Sequence, residues 1–187
     1  IIEGNYVAGA GSSGLILYFE NQIVSNPTMR SNVYNNMFRA FGTTAEALEL
    51  SNSDDVNIYH NTLKSEGENA LVLNNTSNNF DIRNNVLISN IEPIDIALIS
   101  TEIVDYNLYY RTTAGVIAKI NAVSYANLSA WQTASSTHNV HSLQGDPITV
   151  SATDLHLTGT LANGVALPMA AISVDIDGDI RSATPDM

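Results

Sequence analysis

Cysteine is absent from the 187 residues, and lysine nearly so: Lys64 and Lys119 are the only two. Without cysteine the chain forms neither disulfides nor thiolate metal sites, which leaves the compartment open. Seven Lys+Arg face nineteen Asp+Glu, for a net charge of −12. That balance excludes the basic face that nucleic-acid phosphates require, so no nucleic-acid partner is expected. No apolar run approaches the roughly 18–20 residues of a membrane helix, and no stretch reads as a signal peptide. Membrane insertion is therefore not expected. The scarcity of lysine also argues against a helical bundle. Polarity comes instead from 22 Asn, 18 Ser and 15 Thr, in a length that fits one domain with a sizeable core. The chain opens in strand-like pattern at Ile1-Ile2-Glu3-Gly4-Asn5 and closes on Pro185-Asp186-Met187. It is expected to be part of a longer protein whose remainder lies N-terminal to Ile1.

A short phrase recurs. Ile2-Glu3-Gly4-Asn5-Tyr6-Val7 returns as Val33-Tyr34-Asn35-Asn36-Met37-Phe38, Ile58-Tyr59-His60-Asn61-Thr62-Leu63, Ile82-Arg83-Asn84-Asn85-Val86-Leu87 and Val104-Asp105-Tyr106-Asn107-Leu108-Tyr109. Its Asn positions, 5, 36, 61, 85 and 107, recur at a period that marks a solenoid. Between them lie short apolar runs bounded by turn residues: Gly14-Leu15-Ile16-Leu17, Ala47-Leu48-Glu49-Leu50, Ala70-Leu71-Val72-Leu73 and Ile94-Asp95-Ile96-Ala97-Leu98. Each period thus holds two or three strands and no amphipathic helix. One such turn cannot bury its apolar face alone, whereas stacked turns bury a continuous core. The expected fold is all-β, a right-handed parallel β-helix, with coils over 1–110 and a last coil and cap over 111–187. Asn36, Asn61, Asn85 and Asn107 are expected to stack as an amide ladder and to supply the left-handed backbone of a strand-to-strand corner.

Residues 2–110 resemble the parallel β-helix repeats of the pectate-lyase-like superfamily. The tail, with Trp131, His138-Asn139-Val140-His141-Ser142, Gly145-Asp146-Pro147, Asp154-Leu155-His156-Leu157 and Asp175-Ile176-Asp177-Gly178-Asp179-Ile180-Arg181, is similar to the C-terminal end of secreted, Bacteroidota-like β-helix proteins. That resemblance implies an extracellular or cell-surface setting and places Asp177 and Arg181 in the closing cap. From the residues themselves, Tyr125, Leu128 and Trp131 share one helical face behind a Ser124 N-cap. Such a helix would lay Trp131 over the last coil.

Chemistry is harder to find. Asp175, Asp177 and Asp179 around Gly178 suggest a calcium loop, but the ligands an EF-hand needs beyond the glycine are missing and Arg181 follows instead. The competing account is a turn whose carboxylates pair with Arg181. Calcium on the acidic surface is a second route to the same ion. His138 and His141 would share zinc only on a helix, and Asn139 and Ser142 indicate a loop. Among β-helix lyases of the resembled kind, an Asn-Lys-Ser phrase carries the base. The nearest phrase here is Asn75-Thr76-Ser77, and no Arg-His-Gly follows. Asp54-Asp55 is the one adjacent acidic pair in the coils, and it reads as an exposed turn rather than a hydrolase dyad. Were the chain catalytic, Lys64 and Arg83, in adjacent coils, would be the residues to share a face. Tyr34, Tyr59 and Tyr106, one or two places before a ladder Asn, are candidates for stacking on sugar rings, against an aromatic stack packed along one strand face. The leading expectation is a non-catalytic segment with a structural, adhesive or carbohydrate-binding role and a polysaccharide or cell-surface glycan as partner. The alternative is the C-terminal part of a polysaccharide lyase or glycoside hydrolase.

Overall fold

The computed structural model describes residues 1–10, 15–17, 30–74, 77–97, 99 and 102–187. Fifteen strands fall into five triplets, each triplet one coil: β1 (Ile2–Glu3), β2 (Tyr6–Ala10) and β3 (Leu15–Leu17), then β4 (Ser31–Tyr34), β5 (Met37–Phe41) and β6 (Leu48–Ser51). The third coil is β7 (Val56–Tyr59), β8 (Thr62–Ser65) and β9 (Asn69–Asn74); the fourth is β10 (Asp81–Arg83), β11 (Val86–Ser89) and β12 (Glu92–Ile96). β13 (Ile103–Asp105), β14 (Leu108–Arg111) and β15 (Ala118–Ile120) complete the fifth. Equivalent strands pair in parallel with their neighbours above and below, giving three sheets that enclose one core. The chain is a parallel β-solenoid.

The register explains the repeated phrase. Val33, Ile58, Ile82 and Val104 align on the inner side of the first sheet, and Phe38, Leu63, Leu87 and Tyr109 on that of the second. Leu48, Leu71, Ile94 and Ala118 line the third. All are buried, as a period-two pattern facing a closed core demands. Gly67 sits where coils crowd: a Cβ there would lie 2.0 Å from the Gly42 carbonyl oxygen.

The amide ladder runs through the first corner. Each Asn Oδ1 accepts both the backbone N–H and the side-chain amide of the Asn one coil earlier: Asn36 from Asn5 at 3.0 and 3.0 Å, Asn61 from Asn36 at 3.1 and 2.9 Å. Asn85 and Asn107 continue the pattern with every contact at 3.0 Å. Ser142 Oγ ends it by accepting from Asn107 N. The left-handed backbone belongs to the residue before each ladder Asn, contrary to the expectation that one Asn did both. Asn35, His60, Asn84 and Tyr106 have φ of 54, 50, 61 and 54°, and Gly4 has 66°. That division frees the ladder amide to point inward, while its predecessor turns the corner and points out.

Residues past the fifth coil close the end and then return along the flank. β16 (Val123–Tyr125) pairs antiparallel with β15, and β17 (Leu143–Gln144) adds to β14. Between them, helix α1 (Leu128–Ala134) is capped by Asn127, whose side chain accepts from Ala130 N. Ser124 is not the cap, because it is committed to the strand opposite Lys119. Tyr125, also in that strand, still stacks on Trp131 at 6.1 Å. The remaining tail passes over the outer side of the second sheet, where Ala162, Leu157 and Met187 cover Val86, Ile88, Leu108 and Leu143. Asp177 and Arg181 therefore do not close the solenoid's end, as the resemblance implied. They lie on its side, where Arg181 Nη2 donates to Asn35 Oδ1 at 3.0 Å.

Candidate functional site

The outer side of the first sheet brings three of the sequence candidates together, Tyr34, Tyr59 and Arg83. Alternation along each strand sends Tyr34, Tyr59, Arg83 and Asp105 outward, and parallel pairing aligns them with Glu3 in one row. At roughly 4.8 Å per coil the row extends roughly 19 Å. Tyr34 donates to Glu3 Oε2 at 2.9 Å and Tyr59 to Asp81 Oδ2 at 2.7 Å. Both tyrosines are half-buried, and both phenols are raised: Tyr34 first by its bond to Glu3, Tyr59 first by burial and then by Asp81. Neither ionises near neutral pH. Tyr106 stands apart from this row, at the corner. It stacks on His141 at 4.5 Å and 12°, while His141 Nδ1 pairs with Asp105 Oδ2 at 2.7 Å.

Arg83 and Lys64 do not share a face. Arg83 lies on the first sheet, clamped by both oxygens of Asp81 and set over the Tyr59 ring at 5.6 Å. Burial alone would lower its pKa, but the Asp81 bond and charge raise it. Lys64 lies on the second sheet under the returning tail, with Nζ 3.9 Å from Glu66 and 3.5 Å from the Ala152 carbonyl. Arg30, Arg39 and Lys119 each face a carboxylate too, Asp55, Glu66 and Asp95. Arg111 and Arg181 bond neutral oxygens. A base for abstracting a proton α to a uronate must be reachable; Lys64 lies under the tail and Arg83 is held by Asp81. Of the lyase-like phrase, Asn75 and Thr76 lie outside the described residues.

Compared with protein-family models, curated proteins and solved structures, the chain matches none. Asp175 Oδ1 accepts the backbone N–H of Asp177 and Asp179 at 3.0 and 2.9 Å, so this segment is a turn closed on its own backbone. Among the described residues no group of three or more His, Cys, Asp or Glu is placed to hold a metal ion.

Two titrating groups escaped the sequence reading because their surroundings come from distant coils. Burial, then the Arg181 charge, holds His60 down to about 3. Burial and its carboxylate neighbours, Glu49 foremost, push Glu46 up to about 7. Their effects on stability have opposite signs. His60 is neutral when folded, whereas the unfolded imidazole protonates below about 6.5. Its contribution is whole above that pH and lost toward pH 3, by about 1.4 kcal/mol per unit at most. Glu46 holds its proton when folded, so its contribution is whole below pH 4.5 and lost as pH rises through about 7. Being half-exposed and screened, it is worth on the order of 1 kcal/mol. In urea titrations across pH 3–8, His60→Asn should flatten the acid limb and Glu46→Gln the decline between pH 4.5 and 7. Parallel profiles for variant and parent would show that these groups do not govern the curve.

Proposed function

We propose that the chain is a non-catalytic, secreted or cell-surface module that holds carbohydrate on the outer face of its first sheet. The observation that carries the reading is the in-register pair Tyr34–Tyr59, flanked by Glu3, Asp81, Arg83 and Asp105 on one open row. Aromatic rings offer a face to the C–H side of a sugar, and fixed carboxylates and a fixed guanidinium offer partners to its hydroxyls. The row's regular spacing suits an extended polymer. The likeness to the pectate-lyase-like superfamily and to secreted bacterial proteins supports the setting.

One observation favours the alternative, a glycoside hydrolase. Glu46, protonated up to about pH 7 beside Glu49, has the property of a general acid. An assay of the purified chain against neutral and uronate polysaccharides, with and without calcium, separates the two. Retention without new reducing ends or unsaturated products is expected. Tyr34→Ala and Tyr59→Ala should each weaken retention about 3- to 10-fold. Turnover lost in Glu46→Gln or Lys64→Ala would replace the binding reading with a catalytic one.

A further inference from the structure

The two ends of the solenoid differ. Past the fifth coil, Trp131 lies buried over the core and the ladder stops on Ser142 Oγ. At the first coil the core positions come to the surface. Val7 stands in register with Phe38, and through it with Leu63, Leu87 and Tyr109. Those four are at most 1% exposed, whereas Val7 is 37% exposed. Ile2, the counterpart of the buried Val33, Ile58 and Ile82, is only partly covered. Each of β1, β2 and β3 is the last strand of its sheet, so three edges that can template further pairing lie side by side.

The hydrogen bonds at this end have a direction. In each later coil the ladder Asn receives two donors on Oδ1 from the Asn one coil earlier. The residue after it donates its own N–H back to that earlier Asn's carbonyl: Met37 to Asn5, Thr62 to Asn36, Val86 to Asn61 and Leu108 to Asn85, at 2.8 or 2.9 Å. In the first coil the matching groups are Asn5 Oδ1 and Tyr6 N–H, and neither has such a partner among the described residues. The Asn5 amide is otherwise committed, to Glu3 O and Asn36 Oδ1. The end therefore presents one acceptor and one donor at the places where an earlier Asn would supply their complements.

We infer that the open end is a docking face for one further parallel β-coil, joined to Ile1 and carrying Asn at its own corner. That Asn gives its N–H and its amide to Asn5 Oδ1 and takes the Tyr6 N–H on its carbonyl. The coil's apolar side chains cover Val7 and Ile2, as each coil covers the next. Ladder polarity decides against a second copy of the chain. Two copies meeting first coil to first coil would run their strands antiparallel and offer acceptor to acceptor at the ladder. Meeting first coil to last, one of them would present the end that Trp131 already closes. The inference is independent of the carbohydrate reading, since no sugar contact enters it.

The test places a copy of residues 56–80 directly before Ile1 of the whole chain. Ile2 and Ile82 occupy the same column, so this length sets Ile1 where Asp81 follows Phe80. The extended chain is expected to unfold at a higher urea concentration than the parent and to slow exchange of the Tyr6 amide hydrogen at least ten-fold. Asn5→Leu should lower the urea midpoint at least twice as far in the extended chain as in the parent. Asn61→Leu within the copy should undo most of the protection at Tyr6. The parent should sediment as a monomer. An unchanged midpoint, an unprotected Tyr6 amide, or equal effects of Asn5→Leu in the two chains would overturn the inference. So would a parent dimer that Val7→Asp disperses, because the occupant would then be a second copy.

Discussion

Asn61→Leu is expected to lower stability by about 3–5 kcal/mol, far more than leucine's similar size suggests. The substitution removes the acceptor for Asn36 N and Nδ2 and the donor to Val33 O, Tyr59 O and Asn85 Oδ1. Leucine replaces none of these, and each buried group left unpaired costs about 1–3 kcal/mol. Asn5→Leu supplies the contrast. Asn5 is exposed and gives up the bond from its amide to Asn36 while keeping the one from its backbone N–H, so its loss should stay near 1 kcal/mol. Urea unfolding of the two variants checks the gradient. Equal losses at both positions would mean that the amides act independently of burial.

Trp131→Ala should be as damaging, at about 3–5 kcal/mol for a large buried aromatic. Trp131 is 1% exposed and sits over the fifth coil, tilted on Tyr109 at 5.8 Å and stacked on Tyr125. Its removal opens the end of the apolar core, and exposed apolar surface of that kind favours association. A lowered melting temperature accompanied by light scattering is expected, with Trp131→Phe recovering most of both. A variant that melts lower yet stays monodisperse would confine the role of Trp131 to packing.

The coils were legible because local pattern and long-range pairing coincide in them. An apolar residue at every second place and an Asn at one place in each turn are both visible without knowing what lies above or below. Trp131, the one Trp of the chain and past the last repeat, is buried against Tyr109 and Tyr125. The reading failed where neighbours share tasks: the corner's left-handed backbone lies one residue before the ladder, and Asn127, not Ser124, starts the helix. The tail was least legible. Its partners are more than 80 positions away, as in Asn84 with Leu167 or Asn35 with Val174, and no periodicity announces them. Hence Arg181 and His60 were not seen to meet, and Lys64 was not seen to be covered. Arg83 was recognised without Asp81, the residue two places earlier that immobilises it.

The tail fastens to the coils at corners two turns apart, through Leu167 at Asn84 and through Val174 and Arg181 at Asn35. That separation is roughly 10 Å at the spacing of parallel strands. A solenoid is ordinarily free to gain or lose whole repeats, because each repeat answers only to its neighbours. Here the tail works as a ruler. Duplicating one coil between those corners would satisfy every strand and amide in the stack and still leave the fastenings one turn out of step. Coil number and tail length are thereby counted against each other, and the lineage can change neither alone.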